Sequence, residues 1–174
     1  MDYNRDNCTF NIPGVLLTDA VMFAIGGAHL ELGDHMLCRE YFPYTGVRMS
    51  DALKEEIIHY YDFATAYENY LRPVEGDQEV TLTVTDEAKK ISFNVWPPKV
   101  GKVTTFARQQ NGRIVLHLLN FTSADCTSWR DIDGTMPTPR VVKNSQLSVA
   151  VTNEVRHVYL ASPDYHGGAL QELP

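Results

Sequence analysis

The feature that most constrains this chain is a change of hydrophobic period near residue 75. Before it, apolar residues recur three and four positions apart, as on one face of a helix; after it, they alternate, as along half-buried strands. The two patterns specify different secondary structure, so a helix-bearing first part, residues 1–75, and a strand-bearing second part, residues 76–174, are expected. A length of 174 residues suits one domain or two small ones.

In the first part, Pro13-Gly14 opens a segment in which Val15, Leu16, Asp19, Ala20, Phe23 and Ala24 follow helical spacing, and Gly26-Gly27 supplies a stop. Val21, Phe23 and Ile25 also alternate, so a strand over 21–25 competes; the glycine pair favours the helix. Residues 28–32 read as a short strand with His29 and Glu31 on one face and Leu30 and Leu32 on the other, ended by Gly33-Asp34. Residues 35–49 have loop character. Ser50 is placed to cap a second helix with Asp51 in its first turn; Leu53, Ile57, Tyr61, Ala64 and Leu71 form its apolar stripe and Pro73 stops it.

From Gly76 onward Val80, Leu82 and Val84 alternate with threonines, and Ile91, Phe93 and Val95 repeat the pattern before Pro97-Pro98. Residues 100–107 and 114–121 flank Asn111-Gly112, a hairpin turn signal, and 147–151 and 158–161 complete six short strands. Such a set predicts an antiparallel β-sandwich. Residues 122–144 are too many for a tight turn and are expected to cross between sheets.

The formal charge is −7 and no cluster of Lys and Arg occurs, which argues against a nucleic-acid partner. Cys8, Cys38 and Cys126 are odd in number and far apart, which favours free thiols over a disulfide framework or a Cys-x-x-Cys zinc site. Residues 1–7 hold no basic stretch followed by an apolar run and do not read as a signal peptide. The longest apolar stretch, near 20–28, is about half the length that crosses a bilayer, so no membrane partner is expected.

The run from Asp19 through Gly26-Gly27-Ala28-His29-Leu30-Glu31-Leu32-Gly33-Asp34, continued by His35 to Pro43, resembles the end of the catalytic barrel in glycoside hydrolase family 66. Met49 to Glu55 and Tyr60 to Asn69 resemble its closing helix, and His117 to Asn120, Trp129-Arg130-Asp131 and Val158 to Asp164 its C-terminal sandwich. The resemblance implies a mixed fold: the terminal βα unit or units of a (β/α)8 barrel over 1–75, followed by an antiparallel β-sandwich over 76–174. It implies a parent enzyme of the dextranase or cycloisomaltooligosaccharide glucanotransferase kind, acting on α-1,6-glucan with retention through an Asp nucleophile and a Glu acid/base. Those carboxylates lie on barrel strands upstream, so no residue here is assigned as catalytic and the chain itself is expected to be inactive. A complete barrel takes about 250 residues, which agrees. A free-standing carbohydrate-binding or accessory sandwich is the alternative. The resemblance also implies an extracellular or periplasmic parent, whose export signal would lie further upstream.

His29, Glu31, Asp34, His35 and Tyr41 are the candidate substrate contacts, on the argument that barrel strands end at the active site. Carboxylate and imidazole groups there can hydrogen-bond glucosyl hydroxyls, and an aromatic ring can pack on a sugar. The same polar groups could instead fix the strand-to-loop turn. Neither a metal nor a cofactor is expected, since no metal-binding spacing occurs. Glu31 and Asp34 as a retaining pair would lack an opposing wall. Trp96 and Trp129 are expected to pack in the core rather than to form sugar platforms. The expected partner is α-1,6-glucan or an isomaltooligosaccharide, with self-association or association with the rest of a barrel, because a lone βα unit would expose apolar surface on its helix and strand.

Overall fold

The computed structural model describes residues 3–4, 9–30, 33–34, 47–129, 131, 133–143, 145–152 and 154–174. The protein is a sheet-rich chain with few helices. A short antiparallel pair, β1 (Tyr3–Asn4) and β2 (Thr9–Phe10), precedes α1 (Ile12–Ala24). Phe10 donates its backbone N–H to Arg48, where Thr9 and Arg48 form a parallel bridge, and α2 (Asp51–Ala66) and α3 (Glu68–Leu71) follow.

α1 forms where the sequence placed a helix, and the competing strand over 21–25 does not form. Pro13 occupies the first turn, where no intrahelical donor is needed. The helix ends where Gly26 takes φ +85° and donates to Phe23. A Cβ at Gly26 would overlap Pro73 Cδ, so both the conformation and the close approach require glycine. Ser50 caps α2 as expected, its Oγ accepting from the Leu53 N–H at 3.2 Å. The helix breaks at Tyr67 before its last turn, α3, resumes.

Residues 28–30 carry no strand pairing, which corrects the strand expected over 28–32; Glu31 and Leu32 lie outside the described residues. Leu30 is exposed. Alternation over so few residues is a weak signal for a strand.

After residue 75 the strands are β3 (Gln78–Val80), β4 (Thr83–Asp86), β5 (Phe93–Val95), β6 (Val103–Gln110), β7 (Arg113–Asn120), β8 (Leu147–Ala150), β9 (Tyr159–Leu160) and β10 (Gln171–Glu172). β6 is the spine. β7 pairs along its whole length, from Gln110↔Arg113 to Val103↔Asn120, across a two-residue turn in which Asn111 and Gly112 both have positive φ. The other edge of β6 takes two short strands end to end: β5 on 103–105 and β3 on 107–109. β5 runs parallel to β6, which departs from the all-antiparallel expectation; every other ladder is antiparallel. The single alternating run around Val80 to Val84 is split, since β3 joins β6 while β4 pairs β8 in a separate ladder, and β9 pairs β10 in another. Val84 and Asp86 of β4 are buried. Asp86 organises the turn that follows, its carboxylate accepting from the backbone of Ala88, Lys90 and Ile91.

α1 is the centre of the packing. Val15 meets Leu53, Ile57, Val47, Met49 and Phe10 on one side. Phe23 meets Tyr60 and Leu71. Leu17, Val21 and Ala24 meet Leu119, Phe121, Ala124 and Met136 from beyond residue 75, with Trp96 and Trp129 packed at the margin. Both tryptophans thus join the core. The apolar exposure expected on this helix does not occur, because the sheet and the 122–144 crossover cover it. That crossover links β7 to β8, and it seats on the start of α1. Asn11 donates to Asp131 Oδ2 at 2.6 Å and to the Met136 carbonyl at 2.9 Å, and Thr18 donates to the Trp129 carbonyl at 3.1 Å. Gly14 leaves room for the Asp131 carboxylate, which a Cβ would overlap.

Candidate functional site

The site grows from the end of α1. Asp19 lies on the buried side of that helix with no exposed side-chain surface, and the turn at Gly26-Gly27 reverses the chain so that His29 returns beside it. His29 Nδ1 stands 2.5 Å from Asp19 Oδ1. A carboxylate oxygen accepts, so the shared proton is carried on Nδ1, and the contact fixes the plane and tautomer of the ring. The imidazole is 26% exposed.

Tyr60 of α2 packs with Phe23 of α1. Its phenol is pushed far up, mainly by burial and further by the Asp164 and Asp19 carboxylates. It therefore stays neutral and donates to Asp164 Oδ1 at 3.0 Å. Burial raises the Asp164 carboxyl, the hydrogen bond from Tyr60 opposes that, and Glu56 adds to it. Tyr67 donates to the Gly168 carbonyl at 2.7 Å, so two tyrosines of the helical part hold the C-terminal segment, at Asp164 and at Gly168.

The other expected sugar contacts are distributed as follows. Asp34 is 59% exposed, pairs with Lys54 Nζ at 3.1 Å, and accepts from the Met49 N–H through its carbonyl. Glu31, His35 and Tyr41 lie outside the described residues, as do Cys8 and Cys38; Cys126 is a free, exposed thiol. Asp19 was not singled out as a site residue. The signal was present: a carboxylate within an otherwise apolar helical stripe must find a polar partner when buried. Among the described residues no three His, Cys, Asp or Glu converge as metal ligands, and no helix is long and apolar enough to cross a membrane.

Comparison with known proteins places the chain in a family. The whole of 1–174 matches the profile described as Glycosyl hydrolase family 66, and the chain belongs to that family. Two cycloisomaltooligosaccharide glucanotransferases of Niallia circulans are 31% identical over 175 residues and 34% identical over 174, each match covering 95% of this chain and 17% of the relative. A cycloisomaltooligosaccharide glucanotransferase of Paenibacillus sp., solved in complex with cycloisomaltoheptaose, superposes with a TM-score of 0.83 at 28% identity over 95% of this chain and 24% of that one. The chain thus spans about a sixth of the length of the curated relatives it matches, and corresponds to a portion of a glycoside hydrolase-type enzyme.

Proposed function

We propose that this chain is the C-terminal portion of an enzyme that acts on α-1,6-glucan with retention of configuration, and that by itself it contacts glucan without cleaving it. Residues 1–75 supply the last part of the catalytic barrel and 76–174 the attached sandwich. The family match along the whole chain carries this reading, and the relatives, named for cyclic isomaltooligosaccharides, supply the substrate class. His29 is the contact for which local geometry speaks most directly, with Asp19 as its positioning residue. Asp34, Glu31, His35 and Tyr41 are further contacts of the proposal on the sequence argument alone. The parent is secreted, since its polymeric substrate lies outside the cell.

Titration of the pure chain with isomaltotriose, followed through the imidazole NMR signals of His29, tests the contact, and a reducing-sugar assay on dextran tests inactivity. The His29 signals should shift and saturate, the shift should weaken at least tenfold in Asp19→Asn, and no reducing sugar should appear. Unmoved His29 signals, or dextran cleavage abolished by Glu31→Gln, would overturn the respective half of the proposal.

A further inference from the structure

The C-terminal ladder carries a cluster that neither the core nor the His29 site uses. Tyr159 of β9 lies directly opposite Glu172 of β10, so both side chains stand on one face of the ladder. His157, two residues earlier, projects to the same face. Its Nδ1 is 2.7 Å from Glu172 Oε1, and its ring lies 6.2 Å from that of Tyr159 with only 21° between their planes.

All three side chains are open to solvent: Tyr159 is 51% exposed, and His157 and Glu172 more so. An exposed contact of this kind between polar side chains contributes on the order of 0–1 kcal/mol to stability. Half of a tyrosine left in water contributes less than it would if buried. The fold therefore gains little from this arrangement. The two rings lie offset and nearly parallel, so part of each face stays open to solvent. The result is an aromatic surface lengthened by an imidazole and edged by a carboxylate.

That combination matches the chemistry of a glucosyl residue. A pyranose has an apolar face of C–H bonds, which packs on an aromatic ring, and a rim of hydroxyls, which needs charged or polar partners at the ring's edge. Glu172 offers carboxylate acceptors, and the imidazole of His157, oriented by the bond to Glu172, offers a further polar atom. The flexible α-1,6 linkage has three rotatable bonds per unit, and a shallow open platform suits such a chain better than a closed pocket does.

We infer that the His157–Tyr159–Glu172 face is a second glucan contact, a platform that holds α-1,6-glucan on the C-terminal ladder. It rests on the reading that the parent handles this polymer, and extends it to a site with no part in bond cleavage. The isomaltotriose titration can be read separately at His157 and His29. The platform predicts that the His157 ring signals shift and saturate, that Tyr159→Ala reduces the affinity seen at His157 at least tenfold, and that Tyr159→Trp retains it. Unchanged His29 signals in both variants would verify that the fold is intact. Movement at His29 with none at His157 would overturn the platform and leave the proposed function standing; movement at His157 alone would overturn the His29 contact and leave the platform standing. Movement at His157 that persists undiminished in Tyr159→Ala would also overturn it.

Discussion

At the scale of single residues, the chain places polar groups where burial strongly shifts their chemistry. His117 of β7 stacks on Phe106 of the neighbouring strand, with ring centroids 6.0 Å apart, and its Nε2 is buried without a hydrogen-bond partner. Burial, helped by the Arg108 guanidinium, lowers its pKa to about 4. The ordinary value of about 6.5 applies in the unfolded chain. The folded state thus resists the proton that the unfolded state accepts. The stability linked to neutral His117 is fully present above pH 6.5 and is lost as pH falls through the window from 6.5 to about 4. The full shift corresponds to about 3 kcal/mol. Denaturant unfolding at a series of pH values should show this loss in the parent chain and a shallower slope between pH 6.5 and 4 in His117→Phe; parallel slopes would show that His117 does not titrate as described. Such a role was not legible in the sequence. His117 lies in the alternating run that predicted β7, but alternation does not reveal that a histidine faces a phenylalanine across the ladder. His29 is legible as a polar group after a helix stop, and Asp19 as a carboxylate within an apolar stripe, but that the two meet is not.

Among the elements, the helices and the central hairpin were readable because their signals are local. Pro13 and Gly26 bracket α1, Ser50 caps α2, and Asn111-Gly112 turns β6 into β7. What was not readable is set by distant contacts. The choice of β3 for one edge of β6, and of β4 for β8, depends on residues tens of positions away. So does the arginine clamp that ties sheet to helices. Arg108, buried on β6, donates through Nη2 to the carbonyls of Ala24 and Leu71, at the ends of α1 and α3. A cation is favoured at helix C-termini, where carbonyls lack intrahelical partners. Burial lowers its pKa, and Asp77 and Glu79 oppose that. Arg108→Ala should cost about 2–4 kcal/mol, since it leaves buried carbonyls unpaired. Arg108→Lys should recover only part of this, because the forked donor geometry is lost. Gly26→Ala, beside the same clamp, should cost about 2–3 kcal/mol from its positive φ and its overlap with Pro73. Denaturant midpoints measure all three, and a change below about 0.5 kcal/mol in Arg108→Ala would show that the clamp is dispensable.

For the molecule as a whole, the change of period near residue 75 marks a change of secondary structure, while the core runs across it: α1 buries Leu17 and Val21 against Leu119, Phe121 and Met136. Leu30 is exposed where sequence reasoning put apolar exposure, but α1 is covered and many exposed apolar side chains lie near the C-terminus. Leu147, Val149, Val151, Val155, Val158, Leu160, Leu170 and Leu173 are each more than a third exposed, all in the last 30 residues. Apolar surface on that scale favours association. Sedimentation velocity over a concentration series should show self-association, weakened by Val149→Lys; a strictly monomeric chain at all concentrations would contradict this. The central claim concerns the ligand, and calorimetric titration of the chain with isomaltoheptaose and, in parallel, with maltoheptaose tests it most directly. The account predicts saturable binding of the α-1,6-linked oligosaccharide, weaker binding or none of the α-1,4-linked one, and loss of the heat when His29→Ala and Tyr159→Ala are combined. Equal response to both sugars, or isomaltoheptaose binding undiminished in the double variant, would contradict it.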